Sequence, residues 1–332
     1  MLPVAEIGFA EATWVMIVKS IVIFAVIFGI LPLLTVLERK LIGRFQHRYG
    51  PNRVGPFGIL QPLADVGKLI SKESFRPANA IPTLFVLGPL LPVFSGVLAL
   101  AIIPWGDVQD GVGLYGIDVP IGILYFFAVG SIAFYGLLLG GWSSGSKYSL
   151  LGAMRSAAQL ISYEVSMGLA LLGVIMMSGS LSLVSVVHAQ GGIWFVIPQF
   201  VGFIVFMLAG FAETNRTPFD MPEADAELVQ GFMTEYGGMR FGSFLLVEYM
   251  EILVVSGFAA AMFLGGWMGP GPDWLDPIWM LLKMLALVLL FIWVRATLPR
   301  LRYDQLMTLG WKILLPLATL NVLVTAVLVV TT

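Results

Sequence analysis

WVMIVKSIVIFAVIFGILPLLTVL, residues 14–37, decides the architecture. Lys19 is its only charge. As a helix it extends about 36 Å, enough to cross the ~30 Å hydrocarbon core of a bilayer. Seven more apolar runs of comparable length follow, roughly 81–103, 119–142, 157–177, 193–212, 241–264, 277–294 and 313–330. The composition agrees: 58% of the chain is hydrophobic, 11% is charged, and the mean hydropathy is +0.93. A soluble domain keeps its apolar share near roughly half. Pro198 and Gly202 interrupt the fifth run, which is acceptable where neighbouring helices surround it. The expectation is an all-α polytopic membrane protein, with eight transmembrane helices in one integral domain spanning residues 1–332.

Basic residues orient these spans. Segments 1–13, 104–118, 178–192, 265–276 and 331–332 contain no Lys or Arg. The alternate connections carry Arg39, Lys40, Arg44, Arg48, Arg53, Lys68, Lys72 and Arg76, then Lys147 and Arg155, Arg216 and Arg240, Arg300 and Arg302. The positive-inside rule puts these connections on the cytoplasmic side and both termini outside, on the periplasmic side. The opposite face carries Glu6, Glu11, Asp107, Asp110, Asp118, Asp273 and Asp276, as a solvated face does. The first run is too long for a signal-peptide core and is followed by Glu38-Arg39-Lys40, so it reads as a retained span.

Several chemistries are excluded. Without cysteine the chain forms no disulfide and holds no Cys-ligated iron–sulfur cluster. His47 and His188 fall on opposite sides of the membrane, so they cannot form a paired haem site. No GxxxxGK[ST] loop or strand–GxGxxG–helix unit is present. Electron transfer would have to be done by partners, with this chain supplying a pocket, a proton route, or both.

Acids point to the second of these. AETNRTPFDMPEADAELVQG, Ala212–Gly231, gathers Glu213, Asp220, Glu223, Asp225 and Glu227, with Glu235 just beyond. Carboxylates crowded at a membrane surface resist ionising together. Helix capping by Asp220 and Glu223, with Pro222 in the first turn, would account for part of the group. Within the spans, Glu164 lies about 13 Å past Arg155, and Glu248 and Glu251 share a face at i,i+3 spacing. A carboxylate at that depth costs several kcal/mol unless it is neutral, paired or hydrated, which makes intramembrane acids functional candidates. The competing account is a structural helix–helix hydrogen bond, and for Glu251 the two stand level.

The connection from Glu38 to Pro77 is the third informative region. From Pro62 onward, Leu63, Val66, Leu69 and Ile70 share one face, with Asp65, Lys68 and Lys72 away from it. That pattern predicts a short amphipathic helix lying in the cytoplasmic-side interface. The Gly/Pro- and Arg-rich segment before it reads as an ordered docking loop, or as a basic surface for lipid headgroups.

ERKLIGRFQHRYGPNRVGPFGILQPLADVGKLISKE, beginning at Glu38, resembles the first signature of the quinone-site membrane subunit of respiratory complex I. That family comprises the H subunit of bacterial NADH:quinone oxidoreductase and its mitochondrial counterpart, the first subunit of NADH dehydrogenase. AETNRTPFDMPEADAELVQGF resembles its second signature, and RSAAQLISYEV, EYGGMRFG, FLGGW and FIWVRATLPRLRYDQLMTLGWK resemble further segments in order from about residue 14 to 330. Asp225 stands where the family usually has Glu, and Ser166 where Pro is common.

The resemblance implies a translocase subunit with no catalytic residue, metal or redox cofactor of its own. Quinone, of the ubiquinone type, would be the substrate, with FMN and iron–sulfur clusters confined to partner subunits. The tunnel would run between the first span, the amphipathic helix and the sixth and seventh spans, bordered by Glu38, Arg39, Gln61, Asp65 and Phe219. The acidic coupling route would comprise Glu164, Glu213, Asp220, Glu223, Asp225, Glu227 and Glu248, in the inner connections 38–80 and 213–240 and the spans beside them. Partners would be peripheral-arm quinone-site subunits, small membrane-arm subunits and membrane lipids, with no nucleic acid. The location would be the bacterial inner membrane, or the mitochondrial inner membrane for an organellar chain. Two other readings are a secondary transporter or ion channel, for the first of which paired inverted repeats are not evident, and the related component of membrane-bound hydrogenases.

Overall fold

The computed structural model describes residues 13–109, 112–222 and 225–331. Glu6, Glu11, Asp110 and Glu223 lie outside the described residues, as does the side chain of Asp225. The long helices are α1 (Thr13–Phe45), α3 (Pro82–Ala101), α4 (Gly122–Ser143), α5 (Lys147–Ser178), α9 (Gly238–Phe263), α10 (Asp276–Thr297) and α12 (Leu315–Thr331). Shorter helices are α2 (Gln61–Ser71), α6 (Leu183–Ala189), α7 (Phe200–Glu213), α8 (Asp225–Leu228) and α11 (Tyr303–Thr308). The stretches around the seven long helices are long and apolar enough to cross a membrane.

The fifth span differs from expectation. Residues 193–199 form turns, and only the 14 residues of α7 are helical. Pro198 disfavours helix in the residue before it and supplies no N–H for a turn ending on it. At 1.5 Å per residue α7 is about 21 Å long, short of a ~30 Å crossing. The residue before it, Gln199, is held against α12. Gln199 Nε2 donates to Thr325 Oγ1 at 2.7 Å, and Asn321 Nδ2 donates to Gln199 Oε1 at 2.7 Å. Anchored there, α7 stops inside the protein, and the chain after Glu213 is irregular yet buried at Thr214, Asn215, Arg216, Pro218 and Phe219. Irregular backbone at membrane depth is tolerated only where protein surrounds it.

Two surfaces flank the bundle. On one, β1 (Pro104–Gln109) pairs antiparallel with β2 (Val112–Tyr115), a hairpin the apolar pattern did not announce. Lys19 Nζ donates to Gly113 O at 3.2 Å, so α1 starts on this hairpin side. The opposite, loop side carries α2, which forms as the spacing predicts and leaves Leu63, Val66 and Ile70 exposed. α9 is the central helix, with Ile252–Phe263 buried throughout. α3 and α4 pack backbone to backbone: a Cβ at Gly88 would stand 2.8 Å from Gly140 Cα. Small residues permit such an approach between apolar helices. A π turn at Leu309–Leu314 joins α11 to α12, and Tyr163 Oη donates to Leu306 O at 2.8 Å beside it.

Candidate functional site

Arg216 sits at the centre of a buried charge cluster. The early end of α7 puts it in the irregular segment, 6% exposed, facing α1 and α9. Its Nη1 donates to Glu38 Oε2 at 2.7 Å and its Nε to Glu248 Oε2 at 3.3 Å. The guanidinium also lies 4.2 Å from the ring centroid of Tyr249. Arg295, from α10, bonds the other oxygen of Glu38. Two cations thus face two carboxylates contributed by α1 and α9. Buried ions persist only in arrangements matched this closely, because desolvation removes several kcal/mol per charge.

Gln159 of α5 positions the segment. Its buried Nε2 donates to Ala212 O at 2.6 Å and to Phe219 O at 2.8 Å, tying both ends of the irregular stretch to one helix. Phe219 is itself buried and packs edge-on to Tyr163, ring centroids 5.7 Å apart.

Beyond Arg216 the charges turn acidic. Glu251 of α9 is the electrostatic neighbour of Glu248, Glu213 and Arg216, and Glu213 is that of Glu164. Glu164, Glu213 and Glu251 line one cavity of about 80 Å³ between α3, α4, α5, α7 and α9, with Ser131 and, among the described residues, no basic side chain on its wall. Ser131 Oγ donates to Glu164 Oε1 at 3.4 Å. Glu213 Oε2 is buried without a hydrogen-bond partner among the described residues. Three carboxyls sharing a wall titrate as a set, because a charge on one is felt by the next.

The acidic stretch divides here. Glu213 belongs to the interior cavity rather than to a surface loop, because α7 ends early. Met221 and Pro222, which follow Asp220, form a turn, and Asp220 O accepts from Arg300 Nε at 2.9 Å. Glu227 is exposed, bonded by Arg155 and 3.6 Å from Arg300 Nη1. The hydrogen bond from Arg155, helped by the charge of Arg300, holds its carboxyl below the usual carboxylate range. A depressed native pKa contributes stability above the ordinary glutamate value of about 4.3, and that contribution is lost as pH falls. Glu227→Gln is therefore expected to lower the melting temperature at pH 7, by the equivalent of less than about 1 kcal/mol for so exposed a pair. The difference from the parent should begin to shrink as pH falls below about 4.3 and vanish only once pH lies below the depressed native value, which melting curves across that range would check.

At the loop side, Arg39, Gln61 and Asp65 meet. Arg39 Nη1 donates to Asp65 Oδ2 at 2.6 Å and Gln61 Nε2 to Asp65 Oδ1 at 3.0 Å, joining α1 to α2. A cavity of about 460 Å³ beside them is lined by Arg39, Ile42, Arg48, Tyr49, Gly50 and Pro51. Glu38, the neighbour of Arg39 along α1, faces inward to Arg216, so two consecutive residues of one helix link the surface group to the buried cluster.

No sequence pattern singles out Arg216, Arg295, Tyr249 or Gln159 as members of this site, and the resemblance leaves Glu251 outside the acidic route. The only signal for Arg216 is its place close to Glu213 at the end of an apolar run. Its partner Glu38 is 178 residues away, beyond any periodicity.

The profile of the NADH dehydrogenase family matches residues 18–326. The chain is 52% identical over 315 residues to H subunit 1 of the NADH-quinone oxidoreductase of Geobacter metallireducens, covering 92% of this chain and 94% of that protein. It is 49% identical over 319 residues to H subunit 2 of the Syntrophobacter fumaroxidans enzyme, covering 94% and 95%. The H subunit of the Thermomicrobium roseum enzyme is 48% identical over 320 residues, covering 91% and 92%.

Proposed function

The chain belongs to the NADH dehydrogenase family, as a membrane subunit of complex I, and from that membership we propose that it couples quinone reduction to proton translocation. Its helices border the path by which quinone leaves the bilayer, and its buried acids carry the response toward pumping subunits. The observation that carries this reading is the line of charged side chains from Glu38 through Arg216, Glu248, Glu251 and Glu213 to Glu164, with the Arg39–Asp65 pair at the surface beside its start. Charge introduced at Glu38 is transmitted inward, because from there each group lies within electrostatic reach of the next in a low-dielectric interior.

The quinone approach is the space between α1, α2, α9 and α10, where α1 packs against the other three and α9 against α2 and α10. The exposed apolar face of α2 lies in the interface, and Arg39, Gln61 and Asp65 supply donors and an acceptor beside it. Phe219 supports this region from behind, through the Arg216 segment. Asp220, Glu223, Asp225 and Glu227 belong to the coupling route, and a peripheral subunit would dock where Glu227 meets Arg155 and Arg300. FMN and iron–sulfur clusters reside in those partners. The basic connections face the cytoplasm of a bacterial inner membrane.

A light-activated quinone analogue tests the placement in the assembled complex. It is expected to label residues 38–76 and to be displaced by excess quinone. Labelling restricted to the hairpin side would remove the proposal.

A further inference from the structure

The cavity shared by Glu164, Glu213 and Glu251 has one wall that carries no acid. α4 forms it, with Phe126, Val129, Gly130, Ser131 and Phe134 among the lining residues. Ser131 stands about 14 Å from the start of α4 at 1.5 Å per residue, at the depth of the hydrocarbon core. Inside a helix a serine hydroxyl falls back on the carbonyl one turn earlier. Ser131 does so: its Oγ donates to Phe127 O at 3.0 Å. The same Oγ reaches Glu164 Oε1 at 3.4 Å, across the gap between α4 and α5.

The residue before it meets the next acid. A Cβ at Gly130 would stand 3.5 Å from Glu213 Oε1, so two consecutive residues of α4 touch the two carboxyls in turn. Among the described residues, Ser131 is the only polar side chain that α4 brings to this wall. Two further hydroxyls line the cavity, and both are engaged elsewhere. Ser95 Oγ donates to Pro92 O at 2.9 Å, and Tyr163 Oη donates to Leu306 O at 2.8 Å. Of the three, Ser131 alone reaches an acid.

We propose that Ser131 is a positioning residue for Glu164 and serves its carboxyl in both protonation states. A hydroxyl offers one proton and two lone pairs. When Glu164 is ionised, Ser131 turns its O–H from Phe127 O to the carboxylate. When Glu164 holds a proton, the carboxyl O–H donates to Ser131 Oγ, and Ser131 returns its own proton to Phe127 O. Ser131 gains and loses no proton; it exchanges one hydrogen bond for another. The 3.4 Å contact is a few tenths of an ångström beyond a full hydrogen bond, a gap that a small turn of the side chain closes. Alanine at this position would leave the ionised carboxyl facing a wall without a free donor, and an unmatched carboxylate is costly at that depth. The hydroxyl thus lets Glu164 exchange a proton with Glu213 without stranding a charge. This inference rests on the coupling role of Glu164 proposed above.

Proton pumping by the assembled complex in vesicles provides the test, with infrared difference spectra of the same preparations as a second readout. Ser131→Ala is expected to lower the pumping rate about fivefold, the equivalent of one net hydrogen bond. Ser131→Thr restores the hydroxyl and should return most of the rate. Ser95→Ala removes a hydroxyl that touches no acid and should pump as the parent does. Because Ser131 acts through Glu164, adding Ser131→Ala to Glu164→Gln should cost nothing further. The infrared band of the Glu164 carboxyl, identified by its absence in Glu164→Gln, should move in Ser131→Ala and return in Ser131→Thr. A packing role alone would leave that band in place. Parental pumping in Ser131→Ala while Glu164→Gln is impaired would overturn the proposal. So would an unmoved band, or a loss that Ser131→Thr does not restore. Parental pumping in Glu164→Gln would instead remove the coupling role of the acids, and the role of Ser131 with it.

Discussion

Arg216→Met is expected to prevent accumulation of the assembled complex, or to lower its melting temperature more than any other single change in this chain. The substitution keeps much of the aliphatic bulk but strands Glu38 and Glu248, whose side chains are 3% and 14% exposed. Removing one member of a buried ion cluster costs roughly 3–5 kcal/mol, because the remaining charge stays desolvated and uncompensated. Arg295 still reaches Glu38, so Glu248 carries most of the deficit. Adding Glu248→Gln to Arg216→Met should therefore restore part of the loss. Arg216→Lys should fall between, since an ammonium lacks the planar fork that serves both carboxylates. Native gels and thermal melts of membranes from each variant give the answer. A parental melting temperature for Arg216→Met would show that the cluster contributes nothing to the fold.

The second large effect is functional. Glu213→Gln is nearly isosteric and preserves the hydrogen-bonding reach of the side chain, but it cannot release a proton. Glu213 lies between Glu164 of α5 and Glu251 of α9, so its loss cuts the line where the two helices face each other. Removing an obligatory proton-transfer group costs roughly 100-fold, and pumping per electron in the intact complex should fall on that scale. Glu164→Gln should produce the same defect from the next position along. If the acids act in series, the double variant should be no worse than Glu213→Gln alone, because coupled sites do not add. Additive losses would point to two independent routes. Full pumping in Glu213→Gln would reduce the cavity to a packing feature.

The location of Glu213 also shows how far the sequence reached. Its carboxylate neighbours along the chain suggest one surface cluster. The structure sends Glu213 into the interior, Glu227 to the surface between two arginines, and leaves Asp220 beside Arg300. The difference turns on the length of one helix. Hydropathy counts the apolar residues of 193–212 alike, but those before Phe200 form turns, and a helix of 14 residues delivers its last residue inside the bundle. The amphipathic α2 was legible because its information is local, carried by residues three and four apart on one helix face.

By itself the sequence determined that the chain is a bundle of apolar spans, which connections carry the basic charge, where α2 lies, and, through its two signature stretches, which family it joins. These rest on runs and spacings within tens of residues, where helix length and periodicity act directly. Only the tertiary structure decided that Arg216 is buried between Glu38 and Glu248, that Arg295 completes the cluster, and that Glu251 joins Glu213 and Glu164 in one cavity. Those pairings depend on which helices become neighbours and where each one ends. A charge survives in the membrane interior through partners supplied by distant parts of the chain, and no local pattern records them.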